Sequence, residues 1–128
     1  MRIVIETIPI SDMRYATCGD YWYDDLGTLQ VRVAETGVEV YNKMIMVHEL
    51  LEEALTKHRG LLEPQITEFD LYYEERKRLK LVSEESEPGF DNNCPYRNEH
   101  ALATATEMSM CALAGISWSD YDNTINNL

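Results

Sequence analysis

The sequence predicts an α+β fold in which a small antiparallel sheet of about three strands packs against three main helices and a short C-terminal helix. Short runs of β-branched and aromatic residues, bounded by turn residues, fill positions 1–35. From position 38 onward, apolar residues recur at helical spacing. At 128 residues the chain has the length of one domain. We therefore expect a single domain at 1–128, with the sheet in 1–35 and the helical part in 38–128.

Three segments predict the strands. Residues 2–8 are rich in β-branched side chains and end before Pro9, which cannot donate to a strand ladder. Residues 20–24 are aromatic and precede a turn at 25–27. Residues 28–34 alternate apolar and polar side chains, as in a strand with one buried face. We expect the second and third strands to form a hairpin, which the first extends into an antiparallel sheet.

Four helices are predicted in the rest of the chain. The first covers residues 39–58 and ends in cationic residues, which suit the negative end of the helix dipole. The second begins at Glu63-Pro64, because proline is favoured in a first helical turn, and it runs to about residue 77. The third covers 96–114, and a short one follows from Ser117 to 126. Residues 80–95 form a long polar loop, a type of segment that either covers a functional site or is disordered.

The first helix carries ionisable residues within its apolar stripe. His48 and Glu52 lie one turn apart, separated by only about 40° around the helix. Burying either group alone is unfavourable, so each is expected to find a partner, a proton or a metal. The stripe consists of Tyr41, Met44, Ile45, His48, Leu51, Glu52 and Leu55.

The third helix carries a second pair of this kind. His100, Ala103, Thr104 and Glu107 share one face, with Glu107 about 20° from His100 after two turns. If the two helices pack with these faces together, four potential ligands converge. We therefore predict a divalent-metal site, with Zn²⁺ as the expected ion and His48, Glu52 and His100 as ligands; Glu107 is either the fourth ligand or a group that supports the ligands. The alternative is a buried hydrogen-bonded network of the same side chains that fixes helix packing.

Further residues are assigned around this site. The string His48-Glu49-Leu50-Leu51-Glu52 resembles the zincin peptidase motif HExxH, with glutamate in place of the second histidine. The resemblance covers these five residues, and it implies that Glu49 is the catalytic general base. Asp70 lies in the apolar stripe of the second helix, where it either borders solvent or hydrogen-bonds to a ligand histidine. Thr104 is likewise assigned to the groups that support the metal ligands. His58 lies about 15 Å along the helix from His48, so we interpret it as a helix cap.

Composition limits the partners. The chain has 23 acidic and 11 basic residues and a formal net charge of −12, which disfavours nucleic acids and anionic membranes but suits a host protein with a basic surface. The three cysteines, Cys18, Cys94 and Cys111, have no C-x-x-C spacing and are expected to be reduced thiols. The N-terminus lacks the features of a signal peptide, so a cytoplasmic location is expected.

A wider resemblance spans nearly the whole chain. The segments GDYWYD, HELLEEALTKHRG, ITEFD and PYRNEHALAT, together with the N-terminal strand, resemble a group of small phage and prophage proteins. The resemblance implies a viral or mobile-element origin and a role in the cytoplasm of a bacterial host. It implies no particular activity.

Three functions are consistent with these patterns. The first is a zincin-like, metal-dependent hydrolase that acts on a peptide or another small substrate. The second is a non-enzymatic acidic protein that binds or inhibits a host protein. The third is a metal-dependent phosphohydrolase of the HD type, although the chain has no His-Asp dyad. His48 and His100 on opposite sides of the fold would exclude the metal site. If they meet, the metal content of the purified protein decides between a metal site and a hydrogen-bonded network.

Overall fold

The structure is a computed structural model that describes residues 1–128, and it has the predicted α+β fold. None of its helices is both long enough and apolar enough to cross a membrane. Its strands are β1 (Ile3–Ile8), β2 (Gly19–Tyr23) and β3 (Leu29–Ala34), and its helices are α1 (Glu39–His58), α2 (Glu63–Arg78), α3 (Arg97–Ala114) and α4 (Trp118–Asn126). Two short 3₁₀ turns, Ile10–Asp12 and Pro88–Phe90, lie in the loops.

The three strands form one mixed sheet with the order β1-β3-β2. The predicted hairpin of β2 and β3 is confirmed as an antiparallel pair. Strand β1 pairs with β3 in the parallel direction, so the expectation of a wholly antiparallel sheet was wrong for this strand. The chain reverses between β1 and β2 and again between β2 and β3. After two reversals, β3 runs in the same direction as β1 and opposite to β2. It lies between them in the sheet and therefore pairs with both.

Helix α1 is the central element of the packing, since it contacts the sheet on one side and α3 on the other. One apolar core joins β3 to α1 and α2 and includes Val31, Val33, Ile45 and Ile66. A second, smaller core joins α1 to α3 and α4 and is formed by Met44, Cys111 and Tyr121. Apart from Met44 and Ile45, the side chains of α1 that are buried are polar. The three cysteines are free, as predicted.

The buried face of α1 is rotated from the stripe that the sequence predicted. Leu55 is exposed and Leu51 only half-buried, whereas Glu49 and Thr56 are buried. A helix covered from two sides buries a wider arc than a single apolar stripe, so side chains that flank the stripe also become buried. This rotation carries Glu49 to the interior together with His48.

Candidate metal centre

Helices α1 and α3 bring His48, Glu52 and His100 together, as the sequence predicted for these three residues. His48 Nε2 lies 3.1 Å from His100 Nδ1, and His100 Nδ1 lies 2.7 Å from Glu52 Oε1. The third edge of the triangle is a close contact between His48 Nε2 and Glu52 Oε1. His48 and Glu52 are buried and His100 is half-buried.

This triangle could hold a metal ion. Tetrahedral zinc with nitrogen and oxygen ligands at ~2.0–2.1 Å places neighbouring ligand atoms roughly 3.3 Å apart. All three edges of the triangle are shorter than this, the contact between His48 and Glu52 most of all, so the side chains must move apart to admit an ion. Without an ion, the same geometry is a hydrogen-bonded network, because an ionised Glu52 oxygen can accept from the N–H groups of two protonated imidazoles.

The ring nitrogen of His48 that faces away from the triangle, Nδ1, is hydrogen-bonded to a carboxylate. This Nδ1 donates a hydrogen bond to Glu107 Oε1, and the hydroxyl of Tyr121 donates to Glu107 Oε2. Glu107 is thus placed behind His48 and outside the triangle, which agrees with the second of its two predicted roles, a support for a ligand, and not with the first, a fourth metal ligand. A carboxylate at this position fixes the tautomer and orientation of a ligating imidazole and raises its basicity. Tyr121 was not predicted from the sequence, because its position in a separate short helix gave no sign of this contact.

The outer nitrogen of His100 faces the loop between α2 and α3. His100 Nε2 is buried and lies 3.4 Å from Glu87 Oε2, a charge contact without hydrogen-bond geometry. The backbone of Gly89 lies against the imidazole of His100 so closely that an added Cβ atom would overlap the ring. The ring of Phe90 packs edge-on against the same imidazole, with centroids 4.7 Å apart. Part of the predicted 80–95 loop therefore covers one side of the site.

Glu49 is buried beside the triangle and has no hydrogen-bond partner, although it is only 9 % exposed. Its carboxylate packs against the backbone of Gly19, where a side chain of any size would collide with it. Burial, together with the nearby charge of Glu52, raises the pKa of Glu49 well above its ordinary value. A carboxyl group with a raised pKa and no internal partner is suited to exchanging protons with a bound molecule.

Asp70 and Thr104 lie in the same cleft but do not contact the histidines in the way that was expected. Asp70 accepts hydrogen bonds from the hydroxyls of Tyr15, at 2.8 Å, and Tyr96, at 2.5 Å. Burial raises the pKa of Asp70 to about 6, although the two hydroxyls favour its ionised form. Thr104 lines the cleft and makes no side-chain hydrogen bond to the triangle. The supporting carboxylates of the two histidines are instead Glu107 and Glu87.

Two opposite effects set the pKa values in this site: burial disfavours the charged form of each group, and contacts between opposite charges favour it. Burial disfavours a charged His48, but its contacts with Glu107 and Glu52 outweigh burial and raise its pKa. The same competition, with Glu52 and Glu87 as partners, raises the pKa of His100 to about 9. Burial would raise the pKa of Glu52, yet the hydrogen bonds from His100 and His48 lower it to about 2. Without a metal, protons on the histidines balance these carboxylates at neutral pH.

The triangle opens onto a cleft of about 1430 Å³. The cleft is bounded by the segment before β2, by α1, α2 and α3, by the loop around Glu87 and by α4. A space of this size admits a small molecule or a short piece of polypeptide. Comparisons of the chain with protein-family models, with curated proteins and with solved structures gave no match.

Proposed function

We propose that this protein is a metal-dependent hydrolase whose single divalent ion, Zn²⁺, is bound by His48, Glu52 and His100. The observation that carries the proposal is the convergence of three ligand atoms from two helices at the wall of a cleft. Two histidines and one carboxylate are the protein ligands of a common class of catalytic zinc sites. Because only three side chains converge, one coordination position is left for water or substrate.

The proposed roles follow from the placement of the side chains. A bound divalent ion supplies a Lewis acid that polarises a substrate carbonyl and acidifies water. Glu49 acts as general base, because its carboxylate lies in the cleft beside the ligands and has no internal hydrogen-bond partner. Glu107 and Tyr121 hold the ring of His48 in the tautomer that presents Nε2 to the triangle.

The test of the proposed function is the Glu49→Gln variant. We expect it to bind zinc as the wild-type protein does, because Glu49 is outside the triangle, and to lose at least about 100-fold in hydrolysis, the usual contribution of a general base. Zinc content is measured by elemental analysis, and hydrolysis with an internally quenched peptide library. Glu39→Gln is the matched control, since Glu39 is an exposed acid of the same helix.

Two results would contradict the proposal. Undiminished hydrolysis by Glu49→Gln would remove Glu49 as the base. A wild-type protein that binds no divalent metal would favour the second function expected from the sequence, an acidic protein that binds a host protein. Because two histidines and a carboxylate also bind iron(II), the elemental analysis includes iron and uses protein prepared without oxygen.

Zinc binding should also depend steeply on pH. The pKa of His100 is about 9 and that of His48 is raised, so both rings carry protons at pH 7 that zinc must displace. Affinity should rise at least about tenfold per pH unit between pH 6.5 and 8.5. The folding stability of the metal-free protein should depend on pH in the opposite direction. The protonated rings stabilise the fold fully below pH ~6.5, and this stabilisation is lost as the pH rises through about 9.

Calorimetric titrations of zinc in buffers with different ionisation enthalpies measure this proton release. Release of one to two protons per zinc at pH 7 is expected. Zinc affinity that is independent of pH over this range, without proton release, would show that the two imidazoles are not the ligands.

A further inference from the structure

The cleft that contains the metal centre is strongly acidic. Eleven of the residues that line it are Asp or Glu, whereas Lys77 is its one Lys and it contains no Arg. A divalent ion would offset only a small part of this negative charge. The field inside a cleft lined by one sign of charge attracts ligands of the opposite sign. The lining therefore disfavours phosphate esters and other anionic substrates, including those of the HD-type phosphohydrolases considered from the sequence.

Two of these carboxylates, Glu49 and Asp122, form no ion pair within the protein, and a third, Glu87, forms one only with a histidine. Glu49 is nine-tenths buried, faces the cleft and has no hydrogen-bond partner. Asp122, on α4, forms no ion pair, and the charges of Glu87 and Glu107 lie near enough to add to the effect of burial in raising its pKa. The only cationic contact of Glu87 is with His100. An unpaired group of like charges around a cavity is stabilised when a cation enters it.

The same cleft is also lined by an aromatic side chain. Phe90 lines the cleft and packs edge-on against His100, yet its side chain is 47 % exposed. The face of an exposed aromatic ring attracts ammonium and guanidinium groups. Carboxylates and an aromatic ring thus offer a positively charged group two kinds of favourable contact in the same cleft.

We propose that the substrate of this site carries a positive charge, such as a lysine side chain or another alkylammonium group, bound by the cleft carboxylates that include Glu87 and Asp122. This inference rests on the proposed hydrolase function and adds the class of substrate to it. The positive group is a binding determinant and takes no part in bond cleavage. Glu49 keeps its role as the base.

The experiment compares three ligands of matched size: N-acetyl-lysine methylamide, its norleucine analogue and its glutamate analogue. Each is titrated into ¹⁵N-labelled, zinc-loaded protein, and binding is followed by amide chemical shifts. We expect the lysine compound to bind about tenfold more tightly than the norleucine compound, with the glutamate compound weakest. Raising the salt concentration should reduce the preference, because exposed charges are screened.

Substitutions of single carboxylates test which of them cause the preference for the lysine compound. Asp122→Asn, which contacts none of the three proposed ligands, should reduce the lysine preference about threefold, and the double variant with Glu87→Gln should remove it. Asp25→Asn, in the exposed turn before β3, is the control that keeps the preference. Zinc content is measured for every variant, because Glu87 contacts His100.

Some outcomes would overturn this inference alone. If zinc binds and peptides are cleaved, but the norleucine or glutamate compound binds as well as the lysine compound, the substrate class is wrong and the hydrolase stands. The same conclusion follows if the lysine compound causes no shifts, or if its preference survives in the double variant. If the protein binds no zinc but still prefers the lysine compound, the proposed hydrolase fails and the cationic ligand class stands.

Discussion

Replacing His100 with alanine is expected to lower zinc affinity by about 10²- to 10³-fold. Zinc held by four protein ligands binds with roughly 10–16 kcal/mol, so each ligand contributes several kcal/mol. His48→Ala should have the same or a larger effect, because it also leaves the buried carboxylate of Glu107 without its imidazole partner. Affinity is measured by competition with a chromophoric chelator, and bound zinc by elemental analysis.

The chain provides its own control for this experiment. His58 is exposed at the end of the same helix as His48 and is far from the triangle. His58→Ala should therefore leave both zinc affinity and stoichiometry unchanged. Full zinc retention in folded His48→Ala and His100→Ala proteins would mean that the ion binds elsewhere, and the triangle would then be a hydrogen-bonded network.

Replacing Glu107 with alanine should lower the free energy of unfolding by about 3 kcal/mol. The substitution leaves both the Nδ1 atom of His48 and the hydroxyl of Tyr121 buried without their acceptor. It should also weaken zinc binding by about 10- to 100-fold, the effect expected for a group that orients a metal ligand. Urea unfolding with a chelator present measures the stability, and chelator competition measures the affinity.

Tyr121→Phe separates the two effects of this substitution. It removes one hydrogen bond to Glu107 and keeps the contact between Glu107 and His48, so the expected loss of stability is about 1 kcal/mol, with little change in zinc affinity. A Glu107→Ala protein that loses stability but binds zinc as tightly as the wild type would assign Glu107 to packing alone. Unchanged stability and affinity together would contradict the geometry described above.

The helical pattern could be predicted because its determinants are local. The α1 bounds predicted from the sequence are those in the structure, and the start of α2 at Glu63-Pro64 is also confirmed. The meeting of His48, Glu52 and His100 was predictable for a related reason. Helical spacing places His48 and Glu52 on one face, and a buried ionisable pair on each of two long helices favours their contact.

The remaining parts of the site depend on contacts that sequence spacing does not encode. Glu87 lies in a loop whose path is set by the helices on either side, so no periodic pattern marks it as a partner of His100. Glu107 shares a face with His100 along α3, yet it contacts His48 across the helix interface. Position on a helix face predicts which groups meet at an interface, but it does not decide which of two facing imidazoles a carboxylate binds.

The close approach of Gly89 to His100 links the metal centre to a stretch of the protein surface. Since no side chain separates the main chain at Gly89 from the imidazole, neither can be repositioned without the other. An ion that fixes the ring would also restrain the peptide bonds at Gly89 and Phe90, next to the exposed ring of Phe90. The rate at which thermolysin, which cuts before apolar residues such as Phe90, nicks this stretch in the purified protein could then report how much of the protein is loaded.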